Sequence, residues 1–250
     1  MSLESSRLPP LSEQAESLGR AVLVVFLAFA GALVVTGLVG RGLVEAGLLA
    51  RDGLSGRVGL SALQFVGFGL GVAAYLALTD DWRLVRAHLP SLRDLVAIGL
   101  GIFVILLSAV GVGQLLSVLG VSVAQNQVIA VGQSNPEYFL YMIPVSLLFV
   151  GPFEELVFRG GVQGLLRRTY GPWVAIALAT TLFGAMHVVA LTSGSGSILA
   201  YVAVAAVLGL VLGVAYELTE NLVVPAVIHG AYNSVLFAVQ YAVATGAIAA

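Results

Sequence analysis

The sequence predicts an all-α fold: a bundle of about seven membrane-spanning helices around an intramembrane polar cavity. Three observations predict it. Of 250 residues, 59% are hydrophobic and 10% charged, with a mean hydropathy of +1.03, whereas soluble domains carry roughly 25% charged residues. Apolar runs of about 20 residues, enough for a helix to cross a bilayer, recur from end to end. Charged residues fall mostly between these runs, and backbone exposed to lipid must satisfy its own hydrogen bonds, which selects helices.

The elements follow in order. Residues 1–20, "MSLESSRLPPLSEQAESLGR", form a polar N-terminal segment with acidic residues and a Pro-Pro pair. This is no signal-peptide start, so the first apolar run reads as a retained anchor. Spans are expected at about 21–40, 58–79 and 95–119. A polar break holding Arg41, Glu45, Arg51, Asp52 and Arg57 separates the first two, and the hydrophilic loop with Trp82 follows the second. These make an N-terminal helical region, 21–137, closed by the polar connection "VSVAQNQVIAVGQSNPEYF". A second region, 138–247, holds spans at about 138–166, 173–191, 197–215 and 222–247. Gly171-Pro172, "TSGSGS" and "ELTEN" supply its turns. No internal repeat and no interdomain linker is present. Arginines cluster in the N-terminal stretch, the 83–93 loop and at 167–168, which favours a cytoplasmic N-terminus, although Arg41, Arg51 and Arg57 oppose it.

Composition also excludes functions. The net charge of −2 gives no basic surface for nucleic acid. Cysteine is absent, which removes disulfides, thiolate catalysis and cysteine metal sites.

The informative residues are the polar ones inside spans. The four aspartates are expected in loops, and only Glu154 and Glu155 among the glutamates fall well inside a span. A charge near the bilayer centre costs at least ~2.5–3.5 kcal/mol, so such a group faces a cavity or a partner. Glu155 and Arg159, four residues apart, share a helix face and suit a buried ion pair. Glu154 points about 100° away and has no arginine one turn on. "FGAMH" sets Phe183 one turn from His187, and "HGAYN" sets His229 one turn from Asn233. A lone intramembrane histidine is commonly a packed, hydrogen-bonded residue. A glutamate, two histidines and an asparagine on three apolar spans instead suit a hydrolytic site, where Glu and His activate water and His with Asn donates to an oxyanion. Other intramembrane protease patterns are missing: there is no H-E-x-x-H, no G-x-G-D, and "SGSGS" lies in a turn.

Together "EELVFR" (154–159), "FGAMH" (183–187) and "HGAYN" (229–233) resemble the E-E-x-x-x-R, F-x-x-x-H and H-x-x-x-N motifs of the CAAX-protease and bacteriocin-processing (CPBP) family of intramembrane proteases. The resemblance covers about 138–240, with the motifs in order on successive spans. It implies that Glu154 is the general base, aided by His187, and that His229 and Asn233 form the oxyanion hole. Glu155 and Arg159 then support the site from behind, with Phe183 packed beside it. It further implies a peptide or prenylated protein substrate and an integral membrane protein, read as one of a prokaryotic plasma membrane. Glu154, His187 and His229 could equally supply three zinc ligands. Asn233, a poor zinc ligand and a good oxyanion donor, favours a metal-free reaction, so no cofactor is expected and zinc is the alternative. A scaffold or immunity protein keeping the motifs unused is the rival function. A proton-coupled transporter is a more distant one, since buried Glu/His groups also relay protons.

Overall fold

The computed structural model describes residues 9–192 and 194–249. Residues 1–8 of the polar N-terminal segment and Ser193 of "TSGSGS" lie outside the described residues. Seven helices are long and apolar enough to cross a membrane: α1 (Leu11–Glu45), α2 (Leu54–Thr79), α3 (Leu92–Val118), α5 (Glu137–Thr169), α6 (Pro172–Ala190), α7 (Ile198–Thr219) and α8 (Val223–Ala244). A short helix, α4 (Gln127–Ser134), precedes α5. Among the described residues there is no β-strand, only the isolated bridges Val123–Ser197 and Asn126–Leu191.

Three expectations from sequence need correction. The first helix begins at Leu11, not near 21, and continues through Arg41 to Glu45. Polar ends do not stop it, because Arg20–Glu16 and Arg41–Glu45 pairs one turn apart lie along its surface, while Ser17, Ala21 and Val24 are buried. The 120–137 connection is likewise not all loop: the Asn126 side chain accepts from Val128 N at 2.7 Å and caps α4. Asp94 is also helical rather than a loop residue, since it closes a capping box with Ser91 at the start of α3.

Glycines set the close approaches. Gly31 and Gly67 leave no room for a Cβ between α1 and α2, where one at Gly67 would stand 2.5 Å from Ala32 Cα. Gly151 lies against Ala226 O, and a Cβ on Gly230 would stand 3.0 Å from Leu147 Cα, which locks α5 onto α8. Gly184 packs α6 on α7 in the same way, with Val202 O 2.8 Å from its Cβ position. Of the three glycines after Arg159, Gly161 makes the closest approach to another span, since a Cβ there would stand 2.6 Å from Val24 Cγ1 on α1.

Helix α5 is the hub, touching α1, α2, α6, α7 and α8, while α3 packs on α7 and α8 at the periphery. It is not a uniform α-helix. Widened π-helical turns occupy Ser146–Val150 and Leu156–Gln163, on either side of the α-helical turn Gly151–Glu155 that carries Pro152 and both glutamates. Proline at 152 has no N–H to give to the helix, and π-turns of this kind recur at functional sites. At the opposite end from α4, Arg168 grips both carboxylate oxygens of Asp81 at 2.6 and 2.7 Å. That hydrogen bonding, with the charge of the guanidinium, holds the Asp81 carboxyl below its ordinary range.

Candidate active site

The three motif helices converge. Glu154 and Glu155 come from the α-helical turn of α5, His187 from the last turns of α6, and His229 and Asn233 from α8. The close contact at Gly151 brings the glutamate turn against α8 just where His229 stands.

The two glutamates have different surroundings. Glu155 is fully buried, and its Oε1 accepts both from Arg159 Nη1 at 3.1 Å and from His229 Nδ1 at 2.9 Å. Arg159, 1% exposed, also donates from Nη2 to Gly209 O of α7 at 2.7 Å and lies 4.8 Å over the Phe183 ring. Buried charges are tolerated only when paired and hydrogen-bonded in this way. Glu154 makes neither contact. It faces a cavity of about 870 Å³, which His187, His229, Asn233 and Phe183 also line, whereas Glu155 and Arg159 do not. Glu154 Oε2 is buried without a hydrogen-bond partner in the described protein and sits 3.8 Å from His229 Nε2.

These contacts assign protons. A carbonyl or carboxylate only accepts, so His187 donates from Nδ1 to Phe183 O at 2.8 Å and presents Nε2 as its other face. His229 donates from Nδ1 to Glu155, and an Nε2 that also donates requires the imidazolium form. Phe183 spaces the two histidines: its ring centroid is 4.4 Å from that of His187 and 6.0 Å from that of His229. It meets Phe158 edge-on at 4.9 Å.

Two features were not visible in the sequence. Tyr201 of α7 lines the cavity with its ring centroid 6.4 Å from that of His187, and its hydroxyl accepts from Asn126 Nδ2 at 2.7 Å. Tyr232 of α8 lines the cavity too. Each is one of two tyrosines in its apolar span, and nothing in the sequence sets it apart from the other.

Among the described residues no three His, Cys, Asp or Glu side chains are grouped to hold a metal ion. Zinc with N/O ligands at about 2.0–2.2 Å needs three donors around one point; His229 Nε2 and Glu154 Oε2 stand 3.8 Å apart, and no third such side chain is grouped with them among the described residues. The arrangement does not fit a three-ligand zinc site.

Residues 136–235 match the family model described as type II CAAX prenyl endopeptidase Rce1-like. No curated protein and no solved structure matches the chain.

Proposed function

We propose, from the premise that this chain belongs to the CPBP family through residues 136–235, that its CAAX-type protease activity runs on water activated by Glu154. The observation that carries this reading is the division of labour between adjacent glutamates. Glu155 gives Oε1 to Arg159 and His229, and its unpartnered Oε2 is fully buried outside the cavity lining, whereas Glu154 lines the cavity with its Oε2 unpartnered. A general base needs that free lone pair within reach of the water it deprotonates.

In this reading Glu154 takes a proton from water, with His187 Nε2 as a second acceptor that orients it. The hydroxide oxygen bonds to the peptide carbonyl carbon, and the carbonyl π-electrons move to oxygen. His229 Nε2–H and the Asn233 amide hold the resulting oxyanion. On collapse the C–N bond breaks and the proton held by Glu154 passes to the leaving nitrogen, giving a carboxylic acid and an amine. Glu155 and Arg159 act through position: Glu155 fixes the His229 ring and Arg159 fixes Glu155. No step uses a metal.

The cavity wall supports a lipid-bearing substrate. Beyond the polar cluster it is apolar, with Phe29, Leu33, Phe65, Phe68, Ile105 and Leu208 among its lining residues. An isoprenyl chain matches such a wall as well as it matches the lipid it would enter from, so we read the substrate as a peptide prenylated near its C-terminus, met in the plasma membrane of a prokaryotic cell. The test is mass spectrometry of products after incubating purified protein in detergent with a prenylated peptide and its unprenylated twin. Cleavage of the prenylated peptide is expected, reduced 10²–10⁴-fold in Glu154→Gln with the fold retained. Near-normal turnover by that variant would remove Glu154 from the mechanism. Intact peptide with wild-type protein would favour the scaffold reading.

A further inference from the structure

Tyr201 carries a hydroxyl hydrogen that finds no acceptor among the described residues. It stands at the start of α7 and lines the cavity together with Asn126, Glu154 and His187. Asn126 Nδ2 donates to the tyrosine oxygen at 2.7 Å. The direction of that bond is fixed from its far side. Asn126 Oδ1 accepts from Val128 N at 2.7 Å as the cap of α4, so the nitrogen is the end of the amide that faces Tyr201. Asn126 is itself held, because Thr192 N donates to Gln125 O at 2.9 Å and Gln127 Nε2 donates to Leu191 O at 3.1 Å on either side of it. A hydroxyl that accepts from Asn126 sends its own hydrogen elsewhere, and the cavity is the side left open.

Two acceptors share that cavity. The His187 ring centroid is 6.4 Å from that of Tyr201, and with Nδ1 given to Phe183 O its Nε2 presents a lone pair. Glu154 Oε2 is the other, unpartnered among the described residues. No direct hydrogen bond joins the Tyr201 and His187 rings, but they are close enough for one water to bridge their polar atoms, a span of about 5.6 Å from donor to acceptor. Tyr201 and His187 come from the adjoining ends of α7 and α6, whereas His229 and Asn233 stand on α8. Tyr201 therefore belongs with the groups that hold water, not with those that hold the oxyanion.

We propose that Tyr201 is a further catalytic residue: its hydroxyl donates to the oxygen of the attacking water while that water donates to Glu154 and to His187 Nε2. This rests on the peptidase reading above and adds to it the group that orients the nucleophile. A water has two hydrogens and two lone pairs. With both hydrogens on acceptors and one lone pair on Tyr201, a single lone pair is left to meet the carbonyl carbon, which converts a freely turning water into an aligned one. Glu154 takes the proton, the C–O bond forms from that remaining lone pair, and Tyr201 keeps its hydrogen throughout. Asn126 is a positioning residue one step back, because its amide turns the tyrosine hydrogen toward the water.

The experiment measures kcat and KM for a prenylated peptide with wild-type protein, Tyr201→Phe, Asn126→Asp and the double variant, alongside their thermal midpoints in detergent. Tyr201→Phe removes the hydroxyl alone and is expected to lower kcat about tenfold, the scale of one lost hydrogen bond, with KM unchanged. Asn126→Asp keeps a side chain that caps α4 but offers Tyr201 an acceptor in place of a donor, so the hydroxyl turns to the new carboxylate and away from the water. It is expected to lower kcat by a similar factor and to add little in the Tyr201→Phe background. A structural tie between α4 and α7 would not respond to that reversal. Unchanged kcat in Tyr201→Phe overturns the proposal, and so does a rise in KM alone, which would make Tyr201 a ground-state binding group. A loss in Tyr201→Phe that vanishes well below both midpoints makes the Asn126 bond a structural tie and also overturns it. An equal loss from Asn126→Asp with and without the hydroxyl is the field of the new charge and overturns the role of Asn126. Intact peptide with wild-type protein fails the peptidase reading and takes this one with it, whereas wild-type turnover that Tyr201→Phe leaves unchanged overturns this proposal alone.

Discussion

Replacing Arg159 by alanine tests whether the buried pair behind the site is structural. The guanidinium is 1% exposed and holds three things at once: Glu155 Oε1 at 3.1 Å, Gly209 O at 2.7 Å and the face of Phe183 at 4.8 Å. Its removal strands a fully buried carboxylate with His229 as its only partner, and breaking a buried pair from one side typically destabilises by about 3–5 kcal/mol. The orphaned Gly209 carbonyl and the void left by the side chain act in the same direction. His229 as imidazolium offsets part of the loss, so a total of about 3–5 kcal/mol is the expectation rather than the sum of every effect. For a chain of this size that is a fall of about 10 °C in thermal midpoint, measurable by far-UV circular dichroism in detergent. Arg159→Met combined with Glu155→Leu removes both charges and should recover much of the stability, yet remain impaired in hydrolysis because His229 loses its acceptor. An Arg159→Ala protein that is inactive but melts like the wild type would refute this reasoning and make Arg159 a substrate-binding group.

Three further outcomes follow from the same geometry. Asn233→Ala should lower kcat roughly 10²–10³-fold with KM little changed; a rise in KM alone would move Asn233 from the oxyanion to ground-state binding. Because Arg168 holds the Asp81 carboxyl below its ordinary range, its stabilisation is present above the unfolded aspartate value and lost as pH falls through the folded one. The midpoint gap between wild type and Asp81→Asn should therefore be small, within about 1 kcal/mol, present at neutral pH and closing in acid. A gap that widens on acidification contradicts the assignment. Hydrolysis should survive dialysis against a strong chelator, whereas stoichiometric zinc with activity lost on chelation and restored by zinc would make His229 a ligand.

What was legible in the sequence is what one helix carries by itself. Apolar length announces a membrane span, so α2, α3 and α5 to α8 stand within a few residues of where composition puts them. Spacing of four residues announces a shared face, so the Glu155–Arg159 pair and the neighbouring Phe183 and His187 follow from α-helical periodicity alone. The start of α1 was hidden because Arg20–Glu16 pairing and burial of Ser17 keep a polar segment helical, and neither shows in hydropathy. Contacts between helices were decided only by tertiary structure. Glu155 reaches His229, seventy-four residues away, because Gly151 and Gly230 let α5 and α8 approach closely. That contact gives Glu155 a second partner beyond the Arg159 that spacing already assigns to it. Arg57 read as part of a polar break between spans, yet it stands exposed in the first turn of α2, which begins at Leu54, and is among the residues that line the cavity. Periodicity says which side chains share a face; which face meets which depends on where small residues permit backbones to touch, and that is settled by packing the whole bundle at once.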